Sequence, residues 1–589
     1  MKNFRLSLLV LPAILLCSCN IFSNAKKTYE KEIEVFDIDT IKSGDRLSNA
    51  SSMMVKARFV EGEDYVPYLT LSQYIDLYRP HFASDVKVTS QVLSGSSILK
   101  IEKGKQPFFI AEIDYKHEAV LFAGNLQAGF DPNDDPRDLT VLSYGIKNQA
   151  EAKLVGSDAT AYSALYFGGY DIYHFSYNND HYYPLGFLDI TFSNNSSIYF
   201  TYNYKHIYST RTIDNYSGIT FIEDSKEYTF DSQMKEAANN EAIPSYLIKY
   251  NSGLFLYLMD NLYGLKDAKN ISSFASYYRQ RGIYNNLYSA DDITRGYGYS
   301  DALSVLDDNH TLLVSANETW GENPCGRQRR YGDGCHSRAI TKDKLTNLRK
   351  EVLPNYKAQE DIIYSQDGAT ALFSFDSFVF GTKEQVFNSD GSISENAKKY
   401  DTYYMVLDAL KQMSAKGTVK NVIFDISLNG GGTVGVLLKI LTLISKDNNS
   451  CFTFFDNLSK IATIYSTQID SNNDGLYDTK DCFGNQFNFY ILTSDCSFSC
   501  GNAFPCLAQN SKDAKIIGQK SGGGECAVAV HYLPNSEYVY HSSTTHIGFC
   551  NENYTEFYGV EGGAKPDIEI PIGQDFYSIE ALNRAIKNA

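Results

Sequence analysis

An apolar run, Tyr490-Ile491-Leu492-Thr493, is followed at once by Ser497-Phe498-Ser499-Cys500-Gly501-Asn502 and then by a helix-forming stretch. A hydroxyl at such a strand-to-helix turn lies beside unpaired backbone N–H groups and the positive end of the helix dipole. That setting suits a nucleophile whose reaction develops an oxyanion. Taken alone, Ser499 reads better as a helix N-cap, a role serine often fills. A second feature is Asp425-Ile426-Ser427-Leu428-Asn429-Gly430-Gly431-Gly432, between a buried strand and a helix. Three glycines let backbone approach a ligand closely and aim N–H groups into a cleft. The Gly-Lys-Ser/Thr ending of a phosphate loop is missing, as is the acid of a dinucleotide fingerprint, so an oxyanion donor fits better. The third feature is Leu306-Asp307-Asp308-Asn309-His310-Thr311-Leu312, with one of the chain's ten histidines.

These residues need elements to hold them. Beyond Leu345 the pattern is α/β, with strand-like runs at 370–380, 422–427, 488–493 and 515–518 alternating with helical runs at 396–416, 433–446 and after Ser499. Such alternation predicts a sheet covered by helices. Residues 50–225 instead alternate short apolar-aromatic runs with Asn, Asp, Gly and Ser turns, a β-rich pattern, and 226–305 turns to helical spacing. The expected organisation is a leader at 1–19, a tether at 20–49, a β-rich N-terminal domain at 50–225, a helical segment with the His element at 226–345 and a catalytic core at 346–589. The 589 residues exceed what one hydrophobic core organises.

In order and character, His310, the 429–432 turn, Ser499 and the closing Gly559-Val560-Glu561-Gly562-Gly563-Ala564-Lys565-Pro566-Asp567 resemble the C-terminal-processing (tail-specific) serine peptidases. That family has an Asp-x-His-Thr element, an Asp-Leu-Arg-x-Asn-x-Gly-Gly strand and turn, and a Ser-Ala-Gly/Ser-Glu nucleophile turn. Its Ile-Gly-Glu-x-Thr-x-Gly-Gly segment is matched by Ile517-Gly518-Gln519-Lys520-Ser521-Gly522-Gly523, and the resemblance covers roughly residues 300–570. It implies an α/β, crotonase-like spiral peptidase core, endopeptidase activity on unstructured polypeptides or C-termini, and no cofactor for catalysis. Where one branch places the lysine of a Ser-Lys dyad, this chain has Gly524. The other, tricorn-like branch takes a histidine from the upstream element and a glutamate near the C-terminal turn, positions matched by His310 and Glu561. The resemblance therefore assigns Ser499 as nucleophile and His310 as general base. Glu561 becomes a polarising or substrate-amine-facing carboxylate, and the N–H groups of Gly431 (or Gly430) and Cys500 become the oxyanion donors. Lys520 is a fallback base.

Three positions depart from the family pattern: Ser427 replaces an Arg, Asn502 a Glu, and Asn309 a Ser. The stretch between His310 and Thr370 is too short for a comfortable PDZ domain, so substrate selection is expected to fall to the N-terminal part. A rival reading is a non-catalytic lipoprotein that binds peptide or a hydrophobic ligand on the same fold, since the family has retinoid-binding relatives. Retention of both His310 and Ser499 favours the enzyme. An esterase is disfavoured because Ser499 lacks a Gly-x-Ser-x-Gly elbow.

A separate loop, Asp470-Ser471-Asn472-Asn473-Asp474-Gly475-Leu476-Tyr477-Asp478-Thr479-Lys480-Asp481, follows calcium-loop spacing. Its oxygen ligands would be Asp470, Asn472, Asp474, Asp478 and Asp481, and a polar hairpin tip is the competing reading. Eleven cysteines, two of them in the leader, leave nine; a bridge between Cys325 and Cys335 could close a Gly- and Arg-rich loop. The net charge of −17 argues against nucleic acid, whose phosphates need a dense basic surface.

At the N-terminus, Lys2 and Arg5 precede an apolar run from Leu6 to Leu16, too short to span a membrane and typical of a signal peptide. Leu16-Cys17-Ser18-Cys19 resembles a bacterial lipobox, which implies lipidation of Cys19 and a protein tethered at the periplasmic or surface face of the cell envelope. Cys19→Ser is accordingly expected to move the protein from membrane fractions to the soluble envelope fraction. Unchanged membrane association after that substitution would place the anchor elsewhere.

Overall fold

The computed structural model describes residues 26–589 except 105, 125, 127–145, 156–161, 194–197, 212–217, 239–241, 316–332, 536 and 552. The leader, Cys19 and Cys325 therefore lie outside the described residues. The chain is a mixed α/β protein built on several sheets.

Five C-terminal strands form a parallel array in the order Thr370–Ser374, Asn421–Asp425, Asn488–Thr493, Ala514–Gly518 and Ile568–Glu569, with Ile363–Tyr364 antiparallel at one edge. The central strands read as continuous apolar runs because both faces are covered. On one side pack Thr402–Lys416, Val434–Ile444 and Cys500–Ser511, contributing Val406, Leu437, Ile440 and Phe504 to the core. On the other, Leu345 and the C-terminal helix Ile579–Asn588 meet Leu372, Ile423, Leu492 and Ile517. The strand and helix positions read from the sequence beyond 370 are present, although the run expected at 370–380 is a strand only over Thr370–Ser374.

Three expected boundaries do not hold. The 20–49 tether is part of the fold from Thr28 onward: Thr28–Asp37 is an interior strand of a seven-stranded sheet, antiparallel to Ser52–Val60 and parallel to Ile207–Thr210. Its buried Ile33, Val35 and Phe36 alternate with Glu30, Lys31, Glu32 and Glu34, and those charges made the segment look like a polar linker. The divisions at 225 and 345 do not separate cores either. Strand Ile146–Leu154 pairs with Ile461–Ile469 in a C-terminal sheet. One apolar cluster runs from Ile33 through the helix Ser245–Leu262 to Cys526, Tyr532, Leu533 and Val539. No described helix is long and apolar enough to cross a membrane.

The helix Ser245–Leu262 is held close to the backbone of the N-terminal part. A Cβ on its Gly253 would lie 1.7 Å from the Tyr170 carbonyl oxygen, which cannot move aside as a side chain could. Ala normally favours a helix over Gly by about 1 kcal/mol. Here Gly253→Ala is expected to destabilise by about 1–3 kcal/mol or more, visible as a lowered melting temperature. A raised one would show that the close approach is not a constraint.

Candidate active site

The strands Asn421–Asp425 and Asn488–Thr493 run parallel in adjacent positions, so the turns that leave their C-terminal ends lie side by side. Crevices at such ends are where open α/β sheets bind ligands. Buried hydroxyls lock the two turns together. Ser494 Oγ donates to the Ser427 carbonyl at 2.6 Å and Ser497 Oγ to that of Ile426 at 2.8 Å. The Phe498 N–H donates to the Asn429 carbonyl at 3.0 Å, and the Ser499 N–H to that of Gly523 at 2.9 Å.

So held, Ser499 takes φ 57° and ψ −125°, a region that non-glycine residues rarely enter. Such a conformation costs on the order of 1–3 kcal/mol and persists only when its surroundings over-determine it. The helix Cys500–Ser511 begins directly after it, and the Ser499 carbonyl accepts from the N–H groups of Asn502 and Ala503. Its side chain, however, caps nothing, and no described residue hydrogen-bonds Oγ. The N-cap reading therefore fails for the hydroxyl itself. Oγ instead faces the glycine turn: a Cβ on Gly431 would lie 2.7 Å from Ser499 Cβ and 3.0 Å from Oγ. Gly431 also has φ 115°, so glycine is required there on two grounds.

Of the expected oxyanion donors, Gly431 has its N–H engaged, donating to Asn429 Oδ1 at 2.9 Å. The N–H groups of Gly430 and Cys500 have no partner among the described residues. The Cys500 thiol is no rival nucleophile: burial pushes it up to about 12, and it donates to the Gly432 carbonyl at 3.1 Å.

His310 arrives from a different sheet. The strand that follows it, Leu312–Ser315, pairs antiparallel with Glu537–Cys550, and the Ser542 N–H donates to Thr311 Oγ1 at 3.1 Å. Asp308 shapes the turn by accepting from the His310 N–H at 3.0 Å, Thr311 Oγ1 at 2.7 Å and Tyr263 OH at 3.2 Å. The buried imidazole packs edge-on against Phe498, beside Ser499, with ring centroids 4.8 Å apart. Its Nδ1 has no hydrogen-bond partner. Burial holds the ring below the ordinary imidazole value, opposed by the Asp308 charge and the Cys526 backbone.

Glu561 reaches the same loop from the other side. Its Oε2 accepts from the N–H groups of Gly524 and Glu525, both at 2.9 Å, while its own N–H donates to Glu525 Oε2 at 2.7 Å. Burial raises its carboxyl, and the Glu525 and Gly524 N–H groups oppose the rise. The loop that binds Ser499 through Gly523 thus also binds Glu561. Phe498 fills the space over Gly524, where a Cβ would lie 2.6 Å from its ring. Lys520 is exposed and lies over the Gly563 turn.

Two of the three departures, Asn502 and Ser427, are structurally absorbed. Buried Asn502 donates to the Val560 carbonyl at 2.8 Å and accepts from Ser521 Oγ at 2.7 Å, tying the helix after Ser499 to the segment bearing Glu561. Ser427 bonds Asp425 at 2.6 Å and Tyr577 at 2.8 Å. The guanidinium missing at 427 is supplied by Arg349 of the helix Asp333–Val352, which pairs with Asp425 at 2.9 Å and with both oxygens of Asp376. Sequence reading passed over Arg349, Asp308, Phe498 and Glu525. For Asp308 the signal was available, two residues before the histidine.

In the 470–481 loop the oxygens expected as calcium ligands accept backbone N–H groups, Asp470 Oδ1 and Asn472 Oδ1 both from Asp474, at 3.2 and 2.9 Å. Asp481 is buried and accepts from the N–H groups of Ser471, Asn472 and Asp478. Asp470 accepts from those of Asp474 and Gly475, and Asp474 from that of Leu476.

Residues 389–570 match the model of peptidase family S41; Ser499 and Glu561 fall inside that segment and His310 outside it. Among solved structures, the chain is similar to a candidate peptidase of Parabacteroides merdae, at 18% identity over 56% of this chain and 93% of that one, TM-score 0.39. It is similar also to the photosystem II D1 C-terminal processing protease, at 15% identity over 36% and 46%, TM-score 0.26. Mature CPAF shares 10% identity over 60% and 98%, TM-score 0.36. No curated protein matches the chain. Through residues 389–570, the chain carries a domain of peptidase family S41, the family of the C-terminal processing proteases.

Proposed function

We propose that this chain is a serine endopeptidase of the bacterial cell envelope, tethered through Cys19, that cleaves unstructured polypeptides or C-termini by acyl transfer. The observation that carries the reading is a hydroxyl with no structural employment. Ser499 Oγ sits on a strained turn, against a glycine turn with a free N–H, one residue from a buried imidazole. A serine kept only for helix capping would spend its hydroxyl on the helix.

In this reading Ser499 Oγ attacks the scissile carbonyl carbon as His310 accepts its proton. The carbonyl oxygen becomes an oxyanion and accepts from the Cys500 N–H and from the glycine turn, where Gly430 has the free donor. Collapse breaks the C–N bond, and the proton on His310 passes to the departing amine. Water, deprotonated by the same imidazole, then releases the acyl group and restores Ser499. Glu561 stands in the wall opposite, where its carboxylate faces the substrate amine or polarises the site. The non-tricorn alternative, with Lys520 as base, has less support because Lys520 is exposed and lies over the Gly563 turn.

Ser499→Ala should lower hydrolysis of an unfolded polypeptide by about 10³-fold or more, with His310→Ala similar and the double variant little worse, because residues acting as one unit are not additive. A serine-reactive phosphonate should label Ser499 in the wild type. Wild-type turnover by Ser499→Ala, or labelling elsewhere, would sink the assignment and favour a binding protein on this fold.

A pH profile tests the base. His310 must be neutral to accept the proton, and burial lowers its protonation midpoint from 6.5. The acid limb of kcat/KM should therefore lie below that value, activity persisting into mildly acidic buffer and falling only as the ring protonates. An acid limb well above 6.5, or one unchanged in His310→Ala, would exclude His310 as the base.

A further inference from the structure

Behind the loop that anchors Ser499, three side chains of different chemistry converge without a part in the proposed hydrolysis. Glu525, Cys526 and His546 are all buried, and one potential ligand atom from each lies within 4.8 Å of the others. Strand pairing brings them together: Cys526 begins the strand Cys526–Leu533 and stands opposite His546 on Glu537–Cys550, where the register shifts between Cys526 and Val528. His546 Nδ1 is 3.7 Å from Cys526 Sγ and 2.6 Å from Glu525 Oε1.

Those spacings can be set against a tetrahedral zinc site. With Zn–S of about 2.3 Å and Zn–N or Zn–O of about 2.0–2.1 Å, the sulfur–nitrogen edge is about 3.6 Å and the nitrogen–oxygen edge about 3.3 Å. The sulfur and nitrogen already stand at the required separation. The nitrogen–oxygen pair must open by about 0.7 Å, giving up a hydrogen bond that a metal would replace, and the oxygen lies within 4.8 Å of the sulfur. A second carboxylate stands beside the pocket, Glu561 Oε2 accepting from the Glu525 N–H at 2.9 Å, so a cation bound there would lie near anionic groups.

We propose that Glu525, Cys526 and His546 form a binding site for one Zn²⁺, through a carboxylate oxygen, the thiolate sulfur and Nδ1, with a fourth position open. On binding, Cys526 releases one proton to solvent, and the neutral imidazole carries its N–H on Nε2. Glu525 stays ionised, so the ion and its two anionic ligands are together neutral. The site is independent of which residue serves as base, yet it touches the hydrolytic machinery. Glu525 Oε2 accepts the Glu561 N–H, and the same loop offers the Gly523 carbonyl to Ser499. A bound ion clamps that loop from behind.

The test uses the full chain produced in zinc-supplemented medium, dialysed against a weak chelator and analysed for metal content. One zinc per chain is expected, with a melting temperature that falls when a strong chelator strips it. Cys526→Ser and His546→Gln should each lower the retained zinc at least about tenfold. Cobalt in place of zinc should give a thiolate-to-metal charge-transfer band that Cys526→Ser loses. Should Cys526→Ser fail to fold, Glu525→Gln, of nearly the same shape, carries the test through zinc content and the chelator-dependent melting shift. Wild-type protein without zinc above the buffer level overturns the proposal. So does full retention by the variants, which would point to Cys451 or another thiol. Activity of Ser499 enters none of these readouts, so failure here leaves the hydrolase reading standing, and the reverse.

Discussion

The backbone of Ser499 is held at φ 57° by bonds that fix its incoming turn from outside the helix, added to those its carbonyl accepts from Asn502 and Ala503. The preceding Phe498 N–H is taken by Asn429, its own N–H by Gly523, and Ser494 and Ser497 lash the incoming turn to the carbonyls of Ser427 and Ile426. Each of these bonds is modest, of order 1 kcal/mol net, but together they exceed the strain they hold. Release that backbone and the serine would relax into an ordinary cap. Its hydroxyl would turn onto the helix, and the tight packing against Gly431 would have no reason to exist.

Around this turn the molecule is arranged as a convergence of three separate chain regions. The parallel sheet supplies the Ser499 and glycine turns at the ends of adjacent strands. The antiparallel sheet supplies His310 by pairing Leu312–Ser315 with Glu537–Cys550, and that long strand returns toward the segment bearing Glu561. Phe498 is the common wall, with His310 on its ring edge, Gly524 beneath it and Arg338 5.2 Å above its centre. Because the hairpin that positions His310 is also part of the N-terminal apolar core, the site is coupled to residues as distant in sequence as Ile33. The N-terminal part therefore packs in one apolar cluster with the hairpin beside the site.

Substitutions that looked like losses in the linear chain are compensated in space. With serine at 427, Asp425 would carry a buried charge without a cation, a condition costing several kcal/mol. Arg349 removes it from a helix more than 70 residues earlier, pairing with Asp425 and Asp376 together. Asn502 keeps a polar strut where a carboxylate stands in the family pattern, and all its bonds are to neutral partners. Neither compensation leaves a local trace, because nothing in the spacing of Arg349 or Ser521 marks them as partners of a distant turn.

What the chain's own pattern determined is what depends on neighbours along it. Buried parallel strands had to be continuous apolar runs, the helices between them had to show their period, and a turn passing over another backbone had to be glycine. Hence the strands at 421–425, 488–493 and 514–518, the Gly430–Gly432 turn and the candidate Ser499 were legible. The tether failed because alternating charges on an interior strand mimic a linker until its partners Ser52–Val60 and Ile207–Thr210 are known. The calcium reading of 470–481 rests on spacing, which records which oxygens are near one another in sequence and not which backbone N–H each accepts. Whether Ser499 caps its helix or faces the cleft, which cation meets Asp425, and what stands beside His310 were decided only by tertiary structure. Those answers depend on chain segments whose approach is set by sheet pairing and core packing, and no local pattern encodes the distance between them.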